Sequence, residues 1–208
     1  MHPATSTTGG SPHVREKRAR RKADILRAAM AAFRDRGYHA TTLDDIAEGL
    51  GVRKTALYHY FPDKDAILFA CHQRSLQALA SHVAEARRRC SSAPDRLRYI
   101  VNEHVRVMTD SVEGVPLALE VPALNQSLQQ RVIAARDRYE RALREIIADG
   151  IRNGEFREVD PKIAAFVLLG AINWIARWYR PRGGVDPGEL GSQFADQLLG
   201  GLVCQPQP

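Results

Sequence analysis

The chain has 208 residues, is 44% hydrophobic and 26% charged, and carries a net charge of +6 with a pI near 9.5. That is too apolar for a disordered chain and long enough for one large or two small domains. Three cysteines without a CxxC spacing (Cys71, Cys90 and Cys204) exclude a disulfide framework and fit the reducing cytosol.

In chain order, residues 1–13 are rich in Ser, Thr, Gly and Pro and are expected to form a disordered tail; they lack the apolar segment of a signal peptide. Arg15–Lys22 reads REKRARRK: either the solvated first turns of a helix or a basic arm for phosphates or a minor groove. The first helix runs to about Arg36, with Ile25, Leu26, Ala29, Met30 and Phe33 on its apolar face, and Gly37 caps it. Leu43, Ile46, Ala47 and Leu50 mark a second helix, opened by Thr42 and Asp45 in a capping-box spacing and ended by Gly51. A third, over about Lys54–Tyr60, stops at Pro62. Two helices this short need a third to dock on, and a pair joined by a glycine turn and exposing Arg, Lys, Thr, Tyr and His is the helix-turn-helix pattern of a DNA reader. Charge agrees: residues 1–65 hold twelve basic and eight acidic residues, the other 143 eighteen and sixteen, so a polyanion would bind the first third.

Asp63 opens a long helix to about Arg89, and Ser91–Pro94 break it. Helical patterns follow at Asp95–Val112, Leu117–Val121, Ser127–Gly154, Asp160–Arg180 and Glu189–Val203, with an Asp160–Pro161 start signal. The longest apolar run, Ile163–Ala176, is broken by Asn173 and falls short of the about 18 residues that span a bilayer. No strand pattern and no repeat is present. The expectation is an all-α, cytoplasmic protein of about nine helices with no membrane partner: a reader over 14–62 and a helical body over 63–208.

Residues 20–70 are similar to the DNA-binding domain of the TetR (tetracycline-repressor) family. The resemblance is carried by Ile25, Leu26, Ala28, Ala29, Phe33, Gly37–Tyr38, Thr41–Thr42, Ile46–Ala47, Gly51–Val52, the run Leu57-Tyr58-His59-Tyr60-Phe61, and Lys64. Leu50, the basic pair Arg53–Lys54, and Ala56 depart from the family's commonest residues and bear on which operator is read. The resemblance implies a homodimer on double-stranded operator DNA, with the body forming the dimer interface and enclosing a small-molecule effector site.

For the reader, Arg53, Lys54 and Thr55 are the candidate base readers, since Arg and Lys bond guanine O6 and N7; simple phosphate attraction is the alternative for the two cations. Tyr58 and Tyr60 resemble phosphate-contacting aromatics, Thr42 and Lys64 resemble positions that hold the DNA backbone, and His59 faces either DNA or solvent. Leu57 and Phe61 read as core.

For the body, the run Arg177-Trp178-Tyr179-Arg180-Pro181 followed by glycines is similar to regulators of fatty-acid and steroid catabolism that respond to acyl-CoA thioesters. Trp174 and Trp178, four apart, share a helix face, and Asn173 and Arg177 share the adjacent one: a pocket wall with Arg177 meeting an anion, or core and dimer packing. Arg106, Glu120, Asn125 and Arg136 interrupt apolar faces and read as effector contacts or surface. An effector-released repressor, with an acyl-CoA thioester as candidate effector, is the leading function; a drug-response regulator with a hydrophobic ligand, and an activator, are the alternatives. No HExxH, GxSxG, P-loop or GxGxxG motif argues for an enzyme, and neither a cofactor nor a metal is expected. Cys71 and His72 are sequence neighbours, so on a helix they point about 100° apart and make a poor nucleophile–base pair.

Overall fold

The computed structural model describes residues 11–110, 121–180 and 183–203. Within them the chain forms eight α-helices: α1 (Pro12–Arg36), α2 (Leu43–Gly49), α3 (Lys54–Tyr58), α4 (Lys64–Arg89), α5 (Ala93–Thr109), α6 (Gln126–Arg152), α7 (Pro161–Trp178) and α8 (Pro187–Gly200). The all-α expectation holds. The ninth expected helix, Leu117–Val121, and with it Glu120, lies outside the described residues except for Val121, which opens a 3-10 turn ending at Ala123. The chain divides into two compact units, residues 1–64 and 65–208.

In the first unit, Ile25, Ala29, Met30 and Phe33 of α1 are buried with Ile46 of α2 and Leu57 of α3. The buried Tyr38 meets Phe33 edge-on, centroids 5.2 Å apart. α1 begins earlier than the expected tail boundary, since Pro12 and His13 are helical, and Pro sits in its first turn where a missing N–H costs nothing. The basic segment Arg15–Lys22 is therefore helix rather than an extended arm. The capping box of α2 is complete: Asp45 N–H donates to Thr42 Oγ1 (3.2 Å), and Thr42 N–H donates to Asp45 Oδ2 (2.7 Å). Gly51 takes φ +63°, which brings the chain back from α2 toward α3 without a Cβ clash.

In the second unit, α4, α5, α6, α7 and α8 share one apolar core. Each of the last four starts with a side-chain cap: Ser92, Asn125, Asp160 and Asp186 accept from backbone N–H groups of the first turn. The last helix starts at Pro187, two residues before its expected start, because Asp186–Pro187 repeats the Asp160–Pro161 arrangement. Two glycines allow close packing. A Cβ on Gly150 would lie 2.3 Å from the Phe156 ring, and one on Gly191 would lie 2.8 Å from Asn102 Oδ1. Among the described residues, no helix is long and apolar enough to cross a membrane.

Candidate functional site

The nucleic-acid-facing candidates sit on α2, α3 and the turn that follows. α3 spans five residues, so His59 and Tyr60 lie in a turn rather than in the helix expected to reach Tyr60. That turn is closed by Tyr60 N–H and Phe61 N–H donating to Leu57 O at 2.8 and 3.0 Å. Arg53 is the N-cap residue of α3 and is exposed, as are Thr55, Tyr58 and His59. Leu57 and Phe61 are buried, as core residues should be.

Several cations of this unit have structural partners. Lys54 Nζ donates to Asp44 Oδ2 at 2.9 Å, and that bond raises the Lys54 pKa. The bond also links α2 to α3. Arg18 of α1 donates to His59 O at 3.2 Å and stacks over the Tyr60 ring at 5.5 Å; Lys22 lies over the Phe61 ring. The basic stretch thus holds the end of α3 as well as offering charge. Bonds from the Thr42 hydroxyl and backbone, with Arg36 close by, keep the Asp45 carboxyl below its ordinary pKa.

Lys64 and Thr42 differ most from expectation. Lys64 Nζ donates to Tyr38 O at 2.7 Å and Thr41 O at 2.8 Å, lies 3.4 Å from His39 O, and sits 4.3 Å from the Tyr38 ring centre. An ammonium has three protons, and these carbonyls engage them. Lys64 therefore pins the loop between α1 and α2. The Thr42 hydroxyl is likewise engaged, accepting from Asp45 N–H and donating to Asp45 Oδ2 at 2.7 Å.

The second unit contains a cleft of about 720 Å³ between α4 and α6, inside the range common for ligand sites. Its walls are mostly apolar (Phe69, Leu76, Val83, Val132 and Tyr139 among them), and Arg131 and Arg138 supply positive charge. Arg131 stacks on the Phe69 ring, 4.5 Å from its centre. A smaller cavity of about 250 Å³ is lined by Leu76, Leu79, His104, Arg136, Tyr139 and Asn173, among others. Tyr139 Oη lies 3.1 Å from His104 Nδ1, and both residues are buried.

The sequence-derived effector candidates do not converge. Asn173 reaches the smaller cavity, as does Arg136. Arg106 lines a separate recess with Thr109, Tyr179 and 184–187, and pairs at 3.7 Å with Glu103. Asn125 is spent on capping α6. Trp174, Arg177 and Trp178 line none of these cavities; they are exposed on α7, and Trp174 is 64% exposed. The reason is that α7 is apolar nearly all round, so periodicity does not separate its core face from its outer one. His104 and Tyr139 were missed as a polar pair. The available signal was a histidine at position 104 on the face of Val101, Val105 and Met108. Among the described residues, no group of three or more His, Cys, Asp or Glu could hold a metal ion.

Comparison with known proteins places this geometry. The pattern of bacterial regulatory proteins of the tetR family matches residues 25–71, and that of the tetracyclin repressor-like C-terminal domain matches residues 90–202. The HTH-type transcriptional repressor KstR2 of Mycobacterium tuberculosis is 27% identical over 193 residues, covering 88% of this chain and 93% of that protein. The TetR family transcriptional regulator PfmR of Thermus thermophilus superposes with a TM-score of 0.78 at 32% identity, over 85% of this chain and 97% of that one. AibR, solved in complex with isovaleryl coenzyme A and operator DNA, has a TM-score of 0.76 at 26% identity, over 85% and 97% of the two chains. The C-terminal pattern alone spans more than half of the sequence, and the chain belongs to the TetR family of bacterial transcriptional regulators.

Proposed function

We propose that this protein is a homodimeric repressor that leaves a palindromic operator when a small molecule fills its body. The observation that carries the dimer is the outer face of α7, where Ile163, Phe166, Val167, Trp174 and Trp178 are all at least 42% exposed. A contiguous apolar stripe of this kind calls for a partner, and a second copy supplies the second reader that a five-residue recognition helix needs for useful affinity. Arg53 and Thr55 read base edges, Lys54 joins them when its bond to Asp44 opens, and Tyr58, His59 and Tyr60 meet phosphates. Lys64 and Thr42 act on DNA indirectly, by fixing the backbone around α2.

The effector class that the body favours is an acyl-CoA thioester. The α4–α6 cleft pairs apolar walls for an acyl chain with Arg131 and Arg138 for an anionic head group. AibR, at 26% identity, was solved with such a thioester, which supports the reading. Binding releases DNA only by the difference in affinity between the DNA-competent state and the other state. The test is selection of operators from random duplexes, then release of the selected duplex by a panel of CoA thioesters, steroids and planar drugs. Release by a CoA thioester is expected. No release by any of them, with a clear hit elsewhere in the panel, ends the thioester reading. Identical consensus sites for the wild type and Arg53→Ala remove the base-reading role of Arg53.

A further inference from the structure

The smaller cavity holds a polar group that the fold leaves unfinished. His104 is 1% exposed and lines the cavity, yet its buried Nε2 has no hydrogen-bond partner among the described residues. Its other nitrogen is bound: Nδ1 faces Tyr139 Oη at 3.1 Å. A phenol is the stronger donor of this pair, so its proton points to Nδ1 and the imidazole proton resides on Nε2. Burial pushes the His104 pKa down to about 3, and the ring stays neutral at physiological pH. The Asn173 amide faces the imidazole and partly offsets the effect of burial, though its geometry falls short of a hydrogen bond to Nε2. A buried N–H without an acceptor costs stability and marks a position that something else completes.

The surroundings limit what that is. Leu76, Leu79 and Phe166 make much of the wall apolar. Arg136 is offset by Asp137 and Glu140 on the same helix, so no excess positive charge draws a free carboxylate inward. The cavity's about 250 Å³ equals roughly eight waters of liquid volume, room for a compact group only. Leu76 and Tyr139 line this cavity and the α4–α6 cleft alike, so one ligand can touch both.

We propose that His104, positioned by Tyr139, donates its Nε2–H to a neutral carbonyl oxygen of the effector, a ketone or a thioester on a compact hydrocarbon frame. The inference rests on the effector-binding reading of the body but not on the coenzyme part of it. The test is calorimetric titration of the full chain with hexanoyl-CoA, with S-hexyl-CoA, which lacks only the carbonyl, and with 2-decalone, a ketone without coenzyme. The wild type is expected to bind hexanoyl-CoA about tenfold tighter than S-hexyl-CoA, the value of one neutral hydrogen bond. His104→Leu and Tyr139→Phe are expected to bring the two within about twofold by loss of the hexanoyl-CoA advantage. The carbonyl stretch of ¹³C-labelled hexanoyl-CoA should shift down on binding to the wild type and not to His104→Leu. Should His104→Leu fail to fold, Tyr139→Phe decides. Equal affinities in the wild type, or a preference that survives both substitutions, overturns the proposal. If neither CoA derivative binds, the coenzyme reading falls and 2-decalone judges the subsite alone. Binding that His104→Leu weakens about tenfold upholds it; no binding, or binding that the substitution leaves unchanged, overturns it.

Discussion

The unit of residues 1–64 and the unit of residues 65–208 differ in how completely their buried polar side chains are satisfied. In the first, Thr41 is buried and its hydroxyl reaches Gly37 O at 2.8 Å and Ala32 O at 3.1 Å. In the second, the buried Ser75 and Thr109 hydroxyls also reach backbone carbonyls, but among the described residues both ring nitrogens of the buried His72 and one of His104 lack partners. A reader of DNA must hold one shape, and satisfied local bonds do that. On the proposed function, a body that accommodates a ligand gains from polar groups that the ligand completes, at a cost to the empty fold.

The largest expected effect concerns the outer face of α7. Trp174→Glu should leave a monomer in light scattering and lower operator affinity by about 10²- to 10⁴-fold, the usual gain from joining two binding modules. An unchanged dimer removes the α7 interface.

Acidification should separate the two units next. The pKa of His72 is pushed down to about 4 and that of His104 to about 3, chiefly by burial, from 6.5 in the unfolded chain. As pH falls through 6.5 the unfolded chain takes up these protons and the native one does not. Stability present above that pH is therefore lost progressively toward pH 4 and 3, by about 2 kcal/mol per histidine at pH 5. Hydrogen exchange should show amides of α4–α7 losing protection between pH 7 and 5 before those of α1 and α2. Uniform loss would contradict the contrast.

Steric tests follow. Gly150→Ala drives a Cβ to 2.3 Å from Phe156 and 2.8 Å from the Ala93 Cβ, and should destabilise by about 1–3 kcal/mol in a thermal melt. Lys64→Met leaves the Tyr38 and Thr41 carbonyls without their ammonium and should cost about 1–2 kcal/mol, read as loosened exchange in the α1–α2 loop. Gly49→Ala meets nothing within 4 Å and should stabilise α2 by up to about 1 kcal/mol.

What the sequence made legible was local. The Thr42–Asp45 box and the Asp160–Pro161 start join residues at most three apart, so side-chain chemistry alone determines them. The same arrangement at Asp186–Pro187 is harder to read as a helix start, because glycines surround it. The His104–Tyr139 pair joins residues 35 apart, on helices whose relative rotation is set by packing. The Trp174 and Trp178 directions were lost for another reason: a helix apolar nearly all round gives only a weak period to read. Lys64 was legible as a family position but not as a clamp, since its partners are backbone carbonyls, which sequence does not distinguish.

That clamp has a chemical consequence. The chain has five lysines, at positions 17, 22, 54, 64 and 162. Acylation of an amine needs a free lone pair and room for the incoming group, and Lys64, hydrogen-bonded to carbonyls and set against the Tyr38 ring, offers neither. Lys17 and Lys162 are exposed. Nonenzymatic acylation by reactive thioesters would therefore erase charge from the outside of the molecule first, and leave the loop before α2 intact until the fold itself opens.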